Sequence, residues 1–275
     1  MDLVYRLDKV SYSYGASKAL DEVSFSVSRG GSLAILGSNG SGKSTLLKIM
    51  NGLIFPSAGT IEFAGATLDE SGLTGGLLRC FRERVGFVFS EPDVQLFCPT
   101  VFDELAFGPL QLELSEKEVK ERVHELLDML GISALSERPP YTLSTGEKKK
   151  VAIASVLSTN PDVLLMDEPT NGLDPRTQVW LFELLRELKT LEKTCVMATH
   201  DLSLAEDLAD RAIVLDETHG KAADGAISDV LRDRDMLLKA NIIHEHSHRH
   251  GHVVHSHTHS PFASHDEHLP FLKER

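Results

Sequence analysis

One stretch constrains this chain more than any other. An apolar run, Ser32-Leu-Ala-Ile-Leu36, leads into Gly37-Ser-Asn-Gly-Ser-Gly-Lys-Ser-Thr45 and then into Leu46-Leu-Lys-Ile-Met50, stopped by Asn51-Gly52. The first run has the length and composition of a buried strand, and the segment from Ser44 reads as a helix closed by Gly52. Between them the residues fit G-x-x-x-x-G-K-[ST]. Strand, glycine turn and helix N-terminus leave a row of unpaired backbone N–H groups and point the positive end of a helix dipole at the same place. Gly37, Ser38, Asn39, Gly40, Ser41, Gly42, Lys43, Ser44 and Thr45 are therefore expected to wrap phosphates. Lys43 would reach the terminal phosphates and Ser44 would offer its hydroxyl to Mg²⁺. A plain glycine turn between two core elements would call for neither side chain. The segment reads as a binding loop for a nucleoside triphosphate.

Further parts of such a site follow in order. Val163-Leu-Leu-Met166 is a second apolar strand and ends in Asp167-Glu168-Pro169. A carboxylate at the end of a strand beside the phosphate loop holds Mg²⁺ in enzymes of this kind, which assigns that role to Asp167. Glu168 is placed to polarise a water against the terminal phosphate. An acidic helix cap would give the same dipeptide, so the pair gains its meaning from the loop upstream. Asn171-Gly-Leu-Asp-Pro175 comes next, then Val196-Met-Ala-Thr199, a strand ending in His200-Asp201. His200 is expected to contact the terminal phosphate.

Taken together these motifs resemble the nucleotide-binding subunit of an ABC transporter, over roughly residues 3 to 240. Leu143-Ser144-Thr145-Gly146-Glu147 is similar to the LSGGQ signature, with Thr145 and Glu147 as departures. Asp167 and Glu168 match the Walker B aspartate and the catalytic glutamate, Asp174 lies in the D-loop, and His200 matches the switch histidine. Tyr14 matches the aromatic that stacks on adenine, with Tyr12 as the alternative. The resemblance implies an α/β P-loop NTPase core, with a small N-terminal antiparallel β subdomain and a helical subdomain at about 96–160. It implies ATP and Mg²⁺ as ligands and hydrolysis of ATP to ADP and phosphate. It also implies a homodimer, or a heterodimer with a similar ATPase, packed head to tail. The signature of one subunit then covers ATP held by the other, because Ser144 and the N–H groups at Thr145 and Gly146 open a second helix N-terminus. Lys148 to Lys150 read as a solvated helix face.

Ser90 departs from the pattern. It follows the strand Gly86-Phe-Val-Phe89, where the family carries a glutamine that touches Mg²⁺ and the attacking water. Serine is too short for direct contact and would need a bridging water. Gln95 lies too far along to replace it. The next run, Phe97-Cys-Pro-Thr-Val-Phe-Asp-Glu-Leu-Ala-Phe-Gly-Pro109, looks like the ATPases of energy-coupling factor importers, which take up vitamins and transition-metal ions. Beyond it, Ser115 and Glu118 form a capping-box start to a helix with Val119, Val123, Leu126, Leu127 and Leu130 on one face.

At 275 residues the chain is long enough for one large α/β core, a subdomain and a tail. Its formal charge of -13 argues against nucleic acid as a partner. Cys80, Cys98 and Cys195 show neither pairing nor metal spacing, as in a cytosolic protein. No run has the length of a membrane span and Met1-Asp-Leu begins no signal peptide, so transmembrane transporter subunits would have to be separate partners. The chain would then sit at the cell membrane as a peripheral protein on the cytoplasmic face.

Residues 241–275 form a distinct tail. His244, His246, His248, His250, His252, His255, His257 and His259 alternate with other residues, whereas the three histidines before residue 244 are isolated. With few apolar anchors the tail is expected to be disordered without metal. Neutral imidazole ligates Ni²⁺ and Co²⁺ as well as Zn, Cu and Fe, so the eight histidines are candidate ligands. A purification tag or a pH-responsive solvated tail would show a similar composition. Tail and resemblance together point to the ATPase of a nickel or cobalt importer. The alternatives are a vitamin importer or another ABC transporter with an incidental tail, and a cytosolic metal-storage or sensing protein with weak ATPase activity.

Overall fold

The computed structural model describes residues 2–250 and 253–259, with side chains described through residue 243. Strands β1 (Leu3–Tyr14) and β2 (Ser17–Ser28) form a long antiparallel hairpin. Strand β3 (Ser32–Leu36) runs through the glycine loop into α1 (Lys43–Met50). Strands β4 (Ala58–Phe63) and β5 (Ala66–Thr67) then join β1, giving an antiparallel sheet of order β2-β1-β4-β5. Helix α2 (Gly75–Arg84) leads to β6 (Val85–Val88). The chain next leaves the sheet for α3 (Val101–Gln111), α4 (Glu116–Met129) and α5 (Thr145–Leu157). It returns as β7 (Val163–Asp167), α6 (Pro175–Thr190), β8 (Thr194–Thr199), α7 (Leu202–Leu208) and β9 (Arg211–Leu215). Strand β10 (Lys221–Ala226) and helices α8 (Ile227–Arg232) and α9 (Arg234–Lys239) follow.

The central sheet has the order β10-β9-β3-β8-β7-β6 and is parallel except for β10. Strands β3, β7 and β8 are buried at every position, as strands covered on both faces must be. Their alternate residues divide between two cores. Leu33, Ile35, Val163, Leu165, Val196 and Ala198 pack with α1 and the antiparallel sheet. Ala34, Leu36, Leu164, Met166, Cys195 and Met197 face the opposite core, which α3 to α7 complete. One consequence of this parallel order positions the site. The carboxyl ends of β3, β7 and β8 lie side by side, at the edge where open α/β sheets bind ligands.

The helical segment follows its sequence pattern. Helix α4 begins with the Ser115–Glu118 capping box and buries Val119, Val123 and Leu127. Leu130 is buried as well, while Leu126 sits at the margin of the core. Helix α5 approaches β6 closely, because Gly86 carries no side chain; a Cβ there would lie 2.3 Å from Cγ1 of Val156.

Two findings concern the C-terminus. Ala240, Ile242 and Ile243 are buried against the main core, so the packed domain runs three residues past the boundary expected at residue 240. Beyond it the backbone of β11 (His244–His250) pairs antiparallel with that of β12 (Val253–His259). The alternation that marked the tail has a period of two, which is the period of a strand. His244, His246 and His248 stand at register positions opposite His259, His257 and His255. His252 lies outside the described residues. Among the described residues no helix is long and apolar enough to cross a membrane.

Candidate ATP site

The site begins where β3 ends. A Cβ on Gly37 would lie 2.4 Å from Oγ of Ser41 and 2.7 Å from the Leu215 carbonyl oxygen, so the loop must start with glycine. Gly42, the N-cap of α1, has φ +108, and a Cβ there would meet the Ala19 carbonyl oxygen at 2.2 Å. The first turn of α1 therefore opens with no side-chain cap, and its N–H groups and dipole are left for an anion. Within this cradle the buried hydroxyls of Ser38 and Ser41 have no hydrogen-bond partner. A buried polar group without a partner costs on the order of 1–3 kcal/mol, which phosphate oxygens would recover.

Lys43 is buried and donates to the carbonyl oxygens of Gly37 at 2.8 Å and Ser38 at 3.2 Å. Its Nζ lies 3.4 Å from Oε1 of Glu168. The neighbouring Ser44 donates from Oγ to Oδ1 of Asp167 at 2.9 Å. Burial raises the pKa of Asp167, opposed by the Ser44 hydrogen bond and supported by the charge of Glu168. Paired oxygen donors, one of them a desolvated carboxylate, suit a hard divalent cation. Ser44 and Asp167 thus fit Mg²⁺, which would neutralise phosphate charge when bound.

Glu168 follows Asp167 at the end of β7 and has φ +43, a left-handed conformation in which a non-glycine residue is strained by about 1–3 kcal/mol. Its N–H donates to the Ala198 carbonyl oxygen at 2.9 Å, which ties it to β8. One residue beyond the end of β8, at Thr199, His200 places Nδ1 2.8 Å from Oε2 of Glu168. The phosphate loop, Asp167, Glu168 and His200 are thereby gathered at one sheet edge, as their positions after β3, β7 and β8 implied. His200 also lines a cleft with Asn171, Gly172 and Gln178.

The other candidates stand apart. Tyr14 is half exposed near the tip of the β1–β2 hairpin and stacks edge to face with Tyr12 at 4.9 Å. The β2 arm of that hairpin passes the phosphate loop at Ala19. Ser144 caps α5, and its capping box with Glu147 accounts for one departure from the signature. Glu147 Oε2 accepts from the Ser144 N–H and hydroxyl, both at 2.8 Å, and these bonds lower the Glu147 pKa. Thr145 and Gly146 rest against the D-loop and α6, near Gly172, Asp174 and Thr177. Asp174 caps α6, accepting from the N–H groups of Arg176 at 3.0 Å and Thr177 at 3.1 Å. Leu143 is buried in the core behind this helix start. The histidines from His244 onward lie outside the described side chains.

The solvated lysine face expected of α5 needs correction at one position. Lys149 is fully buried, with Nζ donating to the carbonyl oxygens of Phe89 at 3.1 Å and Ser90 at 2.9 Å. Three consecutive lysines read as a polar face, yet residue 149 shares its side of the helix with buried Ala152 and Ile153. That helical spacing was the available signal. Glu104 is another polar residue that pattern reading passes over; it is buried and accepts from the N–H groups of Phe97 and Cys98.

Known proteins agree with this geometry. Residues 20–171 match the family model for ABC transporters. A protein of Methanosarcina acetivorans assigned as an ABC transporter ATP-binding protein is 52% identical over 256 residues, covering 91% of this chain and 93% of its own length. The nickel import ATP-binding protein NikO of Rhodobacter capsulatus is 43% identical, covering 88% of this chain and 97% of its own. The solved structure of cbiO1 from Clostridium perfringens, part of the ABC transporter complex cbiONQ, superposes with a TM-score of 0.74 at 35% identity, covering 88% of this chain and 96% of that one. The chain belongs to the ATP-binding ATPases of the ABC transporter family.

Proposed function

We propose that this chain energises a membrane importer for nickel or cobalt ions. The observation that carries the ATPase chemistry is the convergence of Lys43, Ser44, Asp167, Glu168 and His200 at one sheet edge. In the closed site Glu168 accepts a proton from the attacking water as that water bonds to the terminal phosphorus of ATP and the bond to the ADP oxygen breaks. His200 holds the Glu168 carboxylate in place. Lys43, now satisfied by the carbonyl oxygens of its own loop, turns to phosphate oxygens. Ser44 and Asp167 hold Mg²⁺.

The signature helix supports a two-chain site. The N-terminus of α5 packs on the D-loop and α6 rather than around the phosphate loop of its own chain. In a head-to-tail homodimer, or a heterodimer with a similar ATPase, Ser144, Thr145 and Gly146 cover ATP bound to the partner, and Tyr14 stacks on adenine. ATP joins the two subunits, and hydrolysis releases them.

The transmembrane subunits dock beside the helical segment, placing the chain on the cytoplasmic face of the cell membrane. Val94, Phe97, Phe107 and Leu110 are exposed there, and the rings of Phe97 and Phe107 meet edge to face at 5.0 Å. Nickel or cobalt as cargo is supported by the histidine tail and by likeness to a nickel import protein. The tail holds ions near the membrane subunits and lies outside the transport path. Uptake by vesicles containing the chain and its co-purified membrane partners tests this reading. ATP-dependent accumulation of Ni²⁺ or Co²⁺ is expected; ATP hydrolysis without accumulation of either ion would refute the cargo.

A further inference from the structure

Position 90 poses a physical problem. Val88 pairs with Met166 at the end of β6, and Ser90 follows Val88 by the same two residues that separate Glu168 from Met166. The family's glutamine at this place would reach the reacting groups with its side chain, and serine cannot. Something else must report the state of the nucleotide site to the rest of the molecule.

The loop after β6 is fastened to the signature helix by a set of hydrogen bonds. Lys149 Nζ donates to the carbonyl oxygens of Phe89 and Ser90, at 3.1 and 2.9 Å. Gln95 folds back on the same segment. Its Oε1 accepts from the Phe89 N–H at 3.2 Å, and its Nε2 donates to the Ala152 carbonyl oxygen at 2.7 Å. Lys148 adds an ion pair to Asp93 at 2.6 Å. Positions 148, 149 and 152 lie within one turn of α5, so a single patch of that helix grips both ends of the loop. The same ammonium group of Lys149 feels the negative charges of Asp167 and Glu168.

We propose that Lys149, with Gln95, is the positioning device that joins the signature helix to the loop at Ser90, doing through the backbone what a glutamine side chain would do at that position. A lysine stripped of solvent is costly, and burial favours its neutral form. Its charge is kept here by two carbonyl dipoles and two nearby carboxylates. When α5 swings to meet ATP on a second chain, the bonds from Lys149 carry Phe89 and Ser90 with it. The signature of one site thereby sets the backbone beside Glu168 in its own chain. This inference rests on the ATP-dependent dimer described above.

The test uses the purified full-length chain with ATP and Mg²⁺, read by amide hydrogen exchange, ATP affinity and steady-state hydrolysis. In the native chain ATP should slow exchange in residues 86–95 and 143–150 together. In Lys149→Met, which keeps the volume and removes the donor, ATP affinity and the slowing at 143–150 should persist. The slowing at 86–95 should disappear, and kcat should fall about tenfold at unchanged KM for ATP, the signature of an interaction used after binding. Ser90→Gln in the Lys149→Met background should restore both, because a side chain would again bridge the gap. Gln95→Met provides an independent variant at a half-buried loop position and should give a smaller loss of the same kind. Equal slowing of 86–95 in native and Lys149→Met chains would overturn the proposal. So would failure of Ser90→Gln to rescue, which would make Lys149 a packing residue only. A native chain that binds ATP without dimerising would instead remove the two-chain reading beneath it.

Discussion

Nδ1 of His200 lies 2.8 Å from Oε2 of Glu168, while Nζ of Lys43 stands 3.4 Å from the other oxygen of the same carboxylate. One side chain from each of α1 and the β8 edge thus brackets Glu168, the residue proposed to orient a water. The φ of +43 at Glu168 is held by its own main chain, whose N–H donates to the Ala198 carbonyl oxygen at 2.9 Å and whose carbonyl oxygen accepts from the Asn171 N–H at 3.1 Å. In the mechanism proposed above, phosphate draws Lys43 away from Glu168, leaving His200 beside the carboxylate that acts as the base.

Glu168→Gln should therefore keep ATP affinity and lower turnover by about 10²–10⁴, the range for loss of a general base. Without hydrolysis the ATP-bound dimer should accumulate, visible as a shift in gel filtration. Lys43→Ala should weaken ATP binding itself. A Glu168→Gln protein that hydrolyses ATP at the native rate would reassign the base.

His200→Ala removes the holder and leaves the base. Its kcat should fall while ATP affinity is kept, and the double variant with Glu168→Gln should be no slower than Glu168→Gln alone. Residues that act through one another are non-additive in this way. Independent, multiplying losses in a double-mutant cycle would separate their roles.

The glycine loop, Asp167 and His200 were legible because each sits at the end of a strand whose run of four apolar residues announces it. Val163 to Met166 and Val196 to Thr199 needed no tertiary information. Lys149 was not legible for the opposite reason. Its burial is fixed by carbonyl oxygens about sixty residues away in sequence, and a lysine between two lysines gives no local hint of them. Gln95 likewise looked misplaced along the chain, yet its carboxamide returns to Phe89 and so holds the segment containing Ser90.

Lys149 also sets a pH signature on stability. Burial pulls its pKa down to about 8, against the charges of Asp167 and Glu168, whereas an unfolded lysine titrates near 10.4. Between those values the unfolded chain binds a proton at this side chain that the folded chain has released, so this group makes stability rise with pH. Below the window the folded chain carries the penalty of the buried charge in full. Urea unfolding of the native chain and Lys149→Met at about pH 7.5 and pH 10 should show the native chain gaining on the variant by on the order of 2 kcal/mol. A constant gap between them would mean that Lys149 titrates as an ordinary lysine.

The last prediction separates the tail from the fold. Ile242 and Ile243 are buried in the main core, so cutting after Ala240 removes packing as well as histidines. That truncation should cost a few kcal/mol, as the loss of buried isoleucines does elsewhere. Cutting after Ile243 should leave the melting temperature unchanged. The same shortened chain should lose binding capacity for several Ni²⁺ or Co²⁺ ions, because it lacks all ten histidines of the tail. Metal binding to the full-length chain should weaken as pH falls through about 6.5, where free imidazole takes a proton and stops ligating. Equilibrium dialysis of the full-length and Ile243-truncated chains at about pH 7.5 and pH 5.5, on either side of that value, measures both effects. Equal uptake by the two chains at the higher pH would remove the tail from metal binding and take with it most of the support for nickel or cobalt as cargo.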